Sequence, residues 1–366
     1  MRLALFNVQE LSAEKLGAGD DPQVLAVAEI LRRISPDVVV LQEIDQPQEG
    51  PPDALARELV DRYLAPLAPA LAYPHVFVAA TNTGMLSGQD LNRDGRVATA
   101  ADRGTHEHGE DSFGFGVYPG QYSMAVLSRL PIDVGRARTF QRFLWRDLPG
   151  HHIPPGFYGS ELEAILRLSS KSHWDLPLLL SEPGDLEPLH LLVSHPTPPV
   201  FDGDEDRNGR RNFDEIRFWA LYLDGDDSLY DDKGQRGGLR QDRAFVIVGD
   251  LNARPNQVES LYDDRTAVSQ VLDHTRVQDP AAAGQPCTSR GALAGRSPGP
   301  PDYRERATAE FLGGVQVDYL LPSAGFEVVA CSVFWPSADE DPEGAALAEA
   351  ASDHRLVFLD LRLTRP

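Results

Sequence analysis

Phe245-Val246-Ile247-Val248-Gly249-Asp250-Leu251-Asn252 sets four consecutive apolar residues before a polar end. An apolar run of that length without alternation reads as a strand covered on both faces, closing on a turn that presents Asp250 and Asn252. The same grammar recurs along the chain. Leu3-Ala4-Leu5-Phe6 leads to Asn7, Val38-Val39-Val40-Leu41 to Gln42-Glu43, and Leu191-Leu192-Val193-Ser194 to His195. Near the C-terminus Val317-Asp318-Tyr319-Leu320 carries an acid inside a strand, and Ser352-Asp353-His354 precedes Leu356-Val357-Phe358-Leu359. Singly these residues are ordinary, because Asn is a turn former and Glu is usually solvated. Together they put polar groups at the ends of strands that share packed sheets, where ligand sites form.

Between the strands, Asp20 or Asp21 can cap a helix with Pro22 at its first position and an apolar face of Val24, Val27, Ile30 and Leu31. Further helices are expected near 53–67 and 212–223, and further strands near 75–80, 122–128, 326–335 and 355–363. Helices alternate with strands early and strands dominate late, which suggests a layered α/β fold with mixed sheets. No internal repeat or linker interrupts it. The expectation is one domain over 1–366, with loop insertions at about 82–120 and 280–306.

The series of strand-end motifs resembles the endonuclease/exonuclease/phosphatase superfamily, a group of metal-dependent phosphoesterases, over essentially the whole chain. The resemblance implies a four-layer α/β sandwich with two central mixed β-sheets. It implies that Asn7 and Glu43 hold a divalent cation with help from Asp353, that Asp250 activates the attacking water, and that Asn252 positions it or the phosphate. His354 would contact the phosphate with its ring oriented by Asp318, and His195 matches a second histidine of the deoxyribonuclease and sphingomyelinase branches. The deoxyribonuclease branch orients that histidine with a glutamate, whereas the nearest counterpart in this chain is Gln121, so His195 is expected to act mainly as a phosphate ligand. The residue chemistry points the same way. A carboxylate with an amide oxygen suits Mg2+ or Mn2+, whereas zinc would ask for clustered His and Cys. Charge that develops on phosphate oxygens calls for positioning and electrostatic stabilisation.

Composition narrows the substrate. The formal net charge is −22, which disfavours an enzyme of long nucleic acid, since that binding is driven by neutralising phosphates. A small-molecule or lipid-like phosphoester is expected ahead of DNA, with deoxyribonuclease action as the alternative and a non-catalytic calcium-binding relative behind it. No apolar run reaches the roughly 18 residues of a membrane span, and no signal peptide is evident at Met1. The chain reads as a cytoplasmic monomer, or as periplasmic or secreted if an upstream segment was removed. Cys287 and Cys331 are expected to be two packed or surface thiols, with one bridge between them as the alternative.

Outside the shared motifs, Asp90, Asn92 and Asp94 start like a calcium loop, with Asp102 one residue late to close it. A second oxygen-rich run, Asp204 to Gly209 with Glu215, is crowded by arginines. There Arg210 and Arg211, with Asn212, are expected to bind substrate phosphate. The polar cluster around Lys171 and His173 is expected to meet substrate as well.

Overall fold

The computed structural model describes residues 1–180, 187–258, 262–281, 284, 287–294 and 305–363. Among the described residues, eleven strands are β1 (Arg2–Leu11), β2 (Val38–Ile44), β3 (His75–Phe77), β4 (Ser123–Ser128), β5 (Arg138–Thr139), β6 (His173–Leu178), β7 (Leu189–Ser194), β8 (Phe245–Asp250), β9 (Asp318–Pro322), β10 (Phe326–Val333) and β11 (Val357–Leu363). They form two sheets, one in the order β10-β11-β1-β2-β4-β3 and the other β5-β6-β7-β8-β9. β1 runs parallel to β2 and β7 parallel to β8, while the remaining neighbours are antiparallel, so both sheets are mixed.

Three apolar layers follow from the period of two in each strand. Leu3, Leu5, Val38, Val40, Leu191, Val193, Val246, Val248 and Leu320 meet between the sheets. Phe6, Val39 and Leu41 face outward and are covered by the helix Pro22–Ile34. Leu192, Phe245 and Ile247 face outward on the other side, under the helix Arg207–Asp224. The result is the four-layer α/β sandwich with two central mixed sheets.

The helix Pro22–Ile34 begins as its sequence dictates. The Asp21 carboxylate accepts the backbone N–H groups of Gln23 and Val24, Pro22 takes the first position, and Val24, Val27, Ile30, Leu31 and Ile34 are buried. The helix expected from residue 53 forms as Ala54–Glu58 and continues as a wider π turn, Leu59–Leu64.

Three features depart from the sequence reading. The polar cluster before Asp175 opens a buried strand, β6, and a helix Pro342–Ala351 packs on Pro22–Ile34 with Arg33 paired to Glu343 at 2.7 Å. Cys287 and Cys331 are joined in a disulfide with their Cα atoms 4.5 Å apart, in place of two free thiols. The loop expected at about 280–306 lies largely outside the described residues. No helix among the described residues is long and apolar enough to cross a membrane.

One side chain bridges the two sheets at their polar end. Gln42, fully buried at the end of β2, accepts the Asp250 N–H at 2.7 Å and donates to the Ser194 carbonyl at 2.8 Å. Gln42→Leu keeps similar bulk but strands a buried donor and acceptor, so it is expected to cost about 2–4 kcal/mol. Urea denaturation would show a lower midpoint with an unchanged slope. A midpoint equal to that of the parent would mean that the apolar layer alone joins the sheets.

Candidate active site

The site lies where the layer between the sheets changes from apolar to polar. Asn7 follows Leu3 and Leu5 on the inner face of β1, His195 follows Leu191 and Val193, and Asp250 follows Val246 and Val248. Asp318 precedes Leu320 on β9. Strand alternation alone therefore aims four side chains into one region. Asn7, His195, Asp250 and Asp318 are all buried.

Glu43 would point away from that region on a regular strand. Its φ of 64° breaks the alternation, and the β2 register with β4 shifts between Gln42 and Ile44. The adjacent β1 shifts between Asn7 and Leu11, with Gln9 and Glu10 also at positive φ. Left-handed backbone at non-glycine residues costs free energy and persists where packing over-determines it, often at functional sites. These paired bulges bring Asn7 Nδ2 within 3.0 Å of Glu43 Oε1 and 3.1 Å of Asp250 Oδ2.

A continuous line of contacts then crosses the site. Asp318 Oδ2 lies 2.9 Å from His354 Nδ1, and His354 Nε2 lies 3.6 Å from Asp250 Oδ2. His195 Nε2 lies 3.5 Å from the same oxygen and 3.9 Å from Glu43 Oε1. The other Asp250 oxygen accepts the Asn252 N–H at 2.8 Å, and Asn252 Nδ2 donates to the Pro196 carbonyl at 3.0 Å. Asp250, Asp318 and His354 are close enough to share an ion.

Charge is unevenly held. Burial works against the imidazolium of His354, but Asp318 and Asp250 outweigh it and raise its pKa to about 10. Burial likewise opposes ionisation of Asp250, yet His354 and His195 hold it well below the usual carboxylate range. Asp353 is pushed upward, by burial first and then by the negative charge of Glu43, against the opposing pull of His354.

Residues 4–354 match the profile of the Endonuclease/Exonuclease/phosphatase family. The chain belongs to that family. Solved structures with this fold include an endonuclease/exonuclease/phosphatase from Beutenbergia cavernae DSM 12333, 20% identical with a TM-score of 0.53, the match covering 99% of this chain and 71% of that one. Another, from Bacteroides vulgatus, is 12% identical with a TM-score of 0.50 over 99% of this chain and 98% of its own. The human Nocturnin catalytic domain with bound sulfate anion is 13% identical with a TM-score of 0.50 over 100% and 93%. At these identities the likeness is one of fold. No curated protein matches.

The eight residues singled out at strand ends in this family member do not all find the partners expected of them. Asn7, Glu43, Asp250, Asp318, His195 and His354 are directly linked, and Asn252 joins through Asp250. Asp353 sits beside them through Ser352, whose hydroxyl donates to the Asn7 carbonyl at 2.8 Å and accepts the His354 N–H at 3.0 Å. His195 Nδ1 has no hydrogen-bond partner among the described residues. Gln121 donates to Glu10 at 2.6 Å instead of orienting that ring.

Several expected substrate ligands are structural. Arg211 is half-buried, with its guanidinium spent on the carbonyls of Leu168, Phe113 and Arg167. Arg210 Nε donates to the Glu205 carbonyl. Asn212 ties the loops after β7 and β8 by donating to the Thr197 and Leu251 carbonyls at 2.8 and 2.9 Å. His173 faces away from the site, packed on Phe218 and Trp219 with Nε2 2.8 Å from the Glu215 carbonyl. In the 82–120 loop, Asp90, Asn92 and Asp94 bond to backbone N–H groups of their own turn. Asp102 is engaged elsewhere, capping a 3-10 turn with Thr99 and pairing with Arg96.

Gln42, Ser352 and Glu215 support the site although the strand-end pattern does not single them out. Gln42 carried a usable signal, being the polar residue two after Val40 on the inner face. Glu215 also carried one, as an acid inside the buried stripe of an amphipathic helix.

His173 gives a pH test of this assignment. Burial lowers its pKa to about 4 from 6.5. Above pH 6.5 the ring is neutral folded or unfolded and costs nothing. As pH falls from 6.5 towards 4 only the unfolded chain takes the proton, so the protein loses up to about 3 kcal/mol. His173→Gln removes that loss, which comparison of urea midpoints at pH 7 and pH 4.5 would detect. Equal pH slopes would place His173 in contact with water.

Proposed function

We propose that this chain hydrolyses a phosphoester with the aid of a divalent cation, by in-line attack of a water activated by Asp250. The observation that carries the reading is the unbroken line Asp318–His354–Asp250–Asn7–Glu43, in which a buried carboxylate is flanked by two imidazoles and an amide.

The residues present suit a hard cation. Glu43 and Asp353 offer carboxylate oxygens, Asn7 would join them with its amide oxygen turned from the Gln9 N–H toward the site, and the upward pressure on Asp353 from burial and Glu43 is the repulsion that a cation relieves. Such a cation, Mg2+ or Mn2+, would supply Lewis-acid stabilisation to a phosphate oxygen.

The protein's own groups divide the remaining work. His354, held cationic, donates from Nε2 to a phosphate oxygen, and Asp318 fixes its ring from the other side. His195 donates its Nε2 proton to the phosphate and serves as a binding group, since nothing orients its Nδ1. Asp250 takes the proton of the attacking water. Before substrate arrives its basicity is suppressed by His354 and His195. A bound phosphate draws both imidazoles toward itself and so strengthens Asp250 as a base when it is needed. Asn252, anchored to the Pro196 carbonyl and with its φ at 49°, holds the turn that presents Asp250.

Among substrates, the net charge of −22 favours small or lipid-like phosphoesters over long nucleic acid. Hydrolysis of bis-p-nitrophenyl phosphate and p-nitrophenyl phosphate with Mg2+ or Mn2+ is the direct assay. Asp250→Asn and His354→Ala should each lower kcat by roughly a thousandfold or more. Chelation with EDTA should abolish turnover, and added metal should restore it. Robust nicking of plasmid DNA at modest salt would reverse the substrate order, and activity intact in Asp250→Asn would overturn the mechanism.

A further inference from the structure

Lys171 is one of only three lysines in the chain and the only buried one, at 7% exposure. Lys15 and Lys233 have acceptors for their ammonium groups, whereas Lys171 makes no side-chain hydrogen bond or ion pair among the described residues. Its backbone is fixed on both sides of the side chain. Asn82 N–H donates to the Lys171 carbonyl at 2.8 Å, and Ser170 N–H donates to Glu215 Oε1 at 2.7 Å. Because His173 pairs with Ser194 in antiparallel β6 and β7, the chain just before β6 runs alongside His195 and Pro196. Ser170 Oγ reaches the His195 carbonyl at 3.5 Å.

The carboxylate that acts most strongly on Lys171 is already occupied. Glu215 accepts from Ser170 with one oxygen and from Thr197 N–H, at 2.6 Å, with the other. The Lys171 charge acts next on Glu43 and Asp250, the carboxylates of the site. A lysine buried to this depth whose ammonium has no direct protein partner is costly. Burial accordingly depresses the Lys171 pKa. An anion entering the site repays that cost.

Resting on the phosphoesterase reading above, we infer that Lys171 is the recognition cation for the terminal oxygen of a phosphomonoester, so that the site selects monoesters over diesters. A diester presents one negative charge and two esterified oxygens. A monoester above pH 6 approaches two charges and has a third free oxygen. His354, His195 and a divalent cation can share the two oxygens common to both classes. Only the monoester gives Lys171 an oxygen of its own, and a diester puts an ester group there instead.

The test compares p-nitrophenyl phosphate with bis-p-nitrophenyl phosphate, which share a leaving group, on the parent protein, Lys171→Met and Lys171→Arg with Mg2+ or Mn2+. The parent is expected to favour the monoester in kcat/KM. In Lys171→Met the monoester-to-diester ratio should fall at least about tenfold, chiefly through monoester KM. Lys171→Arg, which keeps the charge and guards against a folding artefact, should recover most of the ratio. Equal losses on both esters, or a parent that favours the diester, would overturn the inference. If the parent turned over neither ester, the hydrolase reading would fail by itself. Calorimetry with inorganic phosphate would then decide on Lys171. Binding lost in Lys171→Met and kept in Lys171→Arg would sustain its role, and binding unchanged in Lys171→Met would end it.

Discussion

Gln42 joins the side chain of one sheet to the backbone of the other. Its amide spans the space between the sheets and bonds to the backbone of both β7 and β8 at the depth where the site begins. The apolar layer below sets the spacing of the sheets but not their relative height, because hydrophobic contact is non-directional. Two hydrogen bonds of fixed geometry set the height. Asp250 can face Asn7 and Glu43 across that space only at one register, and Gln42 supplies it.

The site is also a reservoir of strain and charge. Glu43 and Asn252 adopt left-handed backbone, and at least four carboxylates crowd around two imidazoles. Each feature opposes folding on its own. The four-layer sandwich tolerates them because they sit at one edge of a large, fully apolar layer. Side chains placed at strand ends inherit the rigidity of the strands, while the loops beyond remain free to vary.

The strands that carry the site were legible because each has a run of branched apolar residues ending in a polar one. β6 was not. It holds His173, Asp175 and Pro177, a poor strand on its own terms, and its polar groups are satisfied only by distant partners. Asp175 binds His190 and the Tyr222 hydroxyl, both at 2.6 Å. The helix Pro342–Ala351 escaped notice because its alanines give little amphipathic signal, and docking on Pro22–Ile34 decides it. The arginines after Asp206 looked like phosphate ligands by residue type, but Arg211 turns inward to carbonyls that only the fold brings near. The disulfide joins residues separated by 44 positions, a proximity that no local pattern encodes. Residue type announced the chemistry, and long-range geometry chose which copies of each type take part.

The place of β1 has a consequence for how the protein is made. β1 lies between β2 and β11, pairing Leu3 with Leu359 and Leu5 with Val357. At elongation rates of about 5–20 residues per second, one side of β1 waits roughly 20–70 s on the ribosome for its neighbour. During that interval an apolar strand edge stands open to wrong pairings. Asp353 and His354 emerge only at the close of the same interval, just before the strand that seals the edge. A nascent or truncated chain therefore has an exposed edge and no active site at once. Completion of the sheet and assembly of the candidate site are one event.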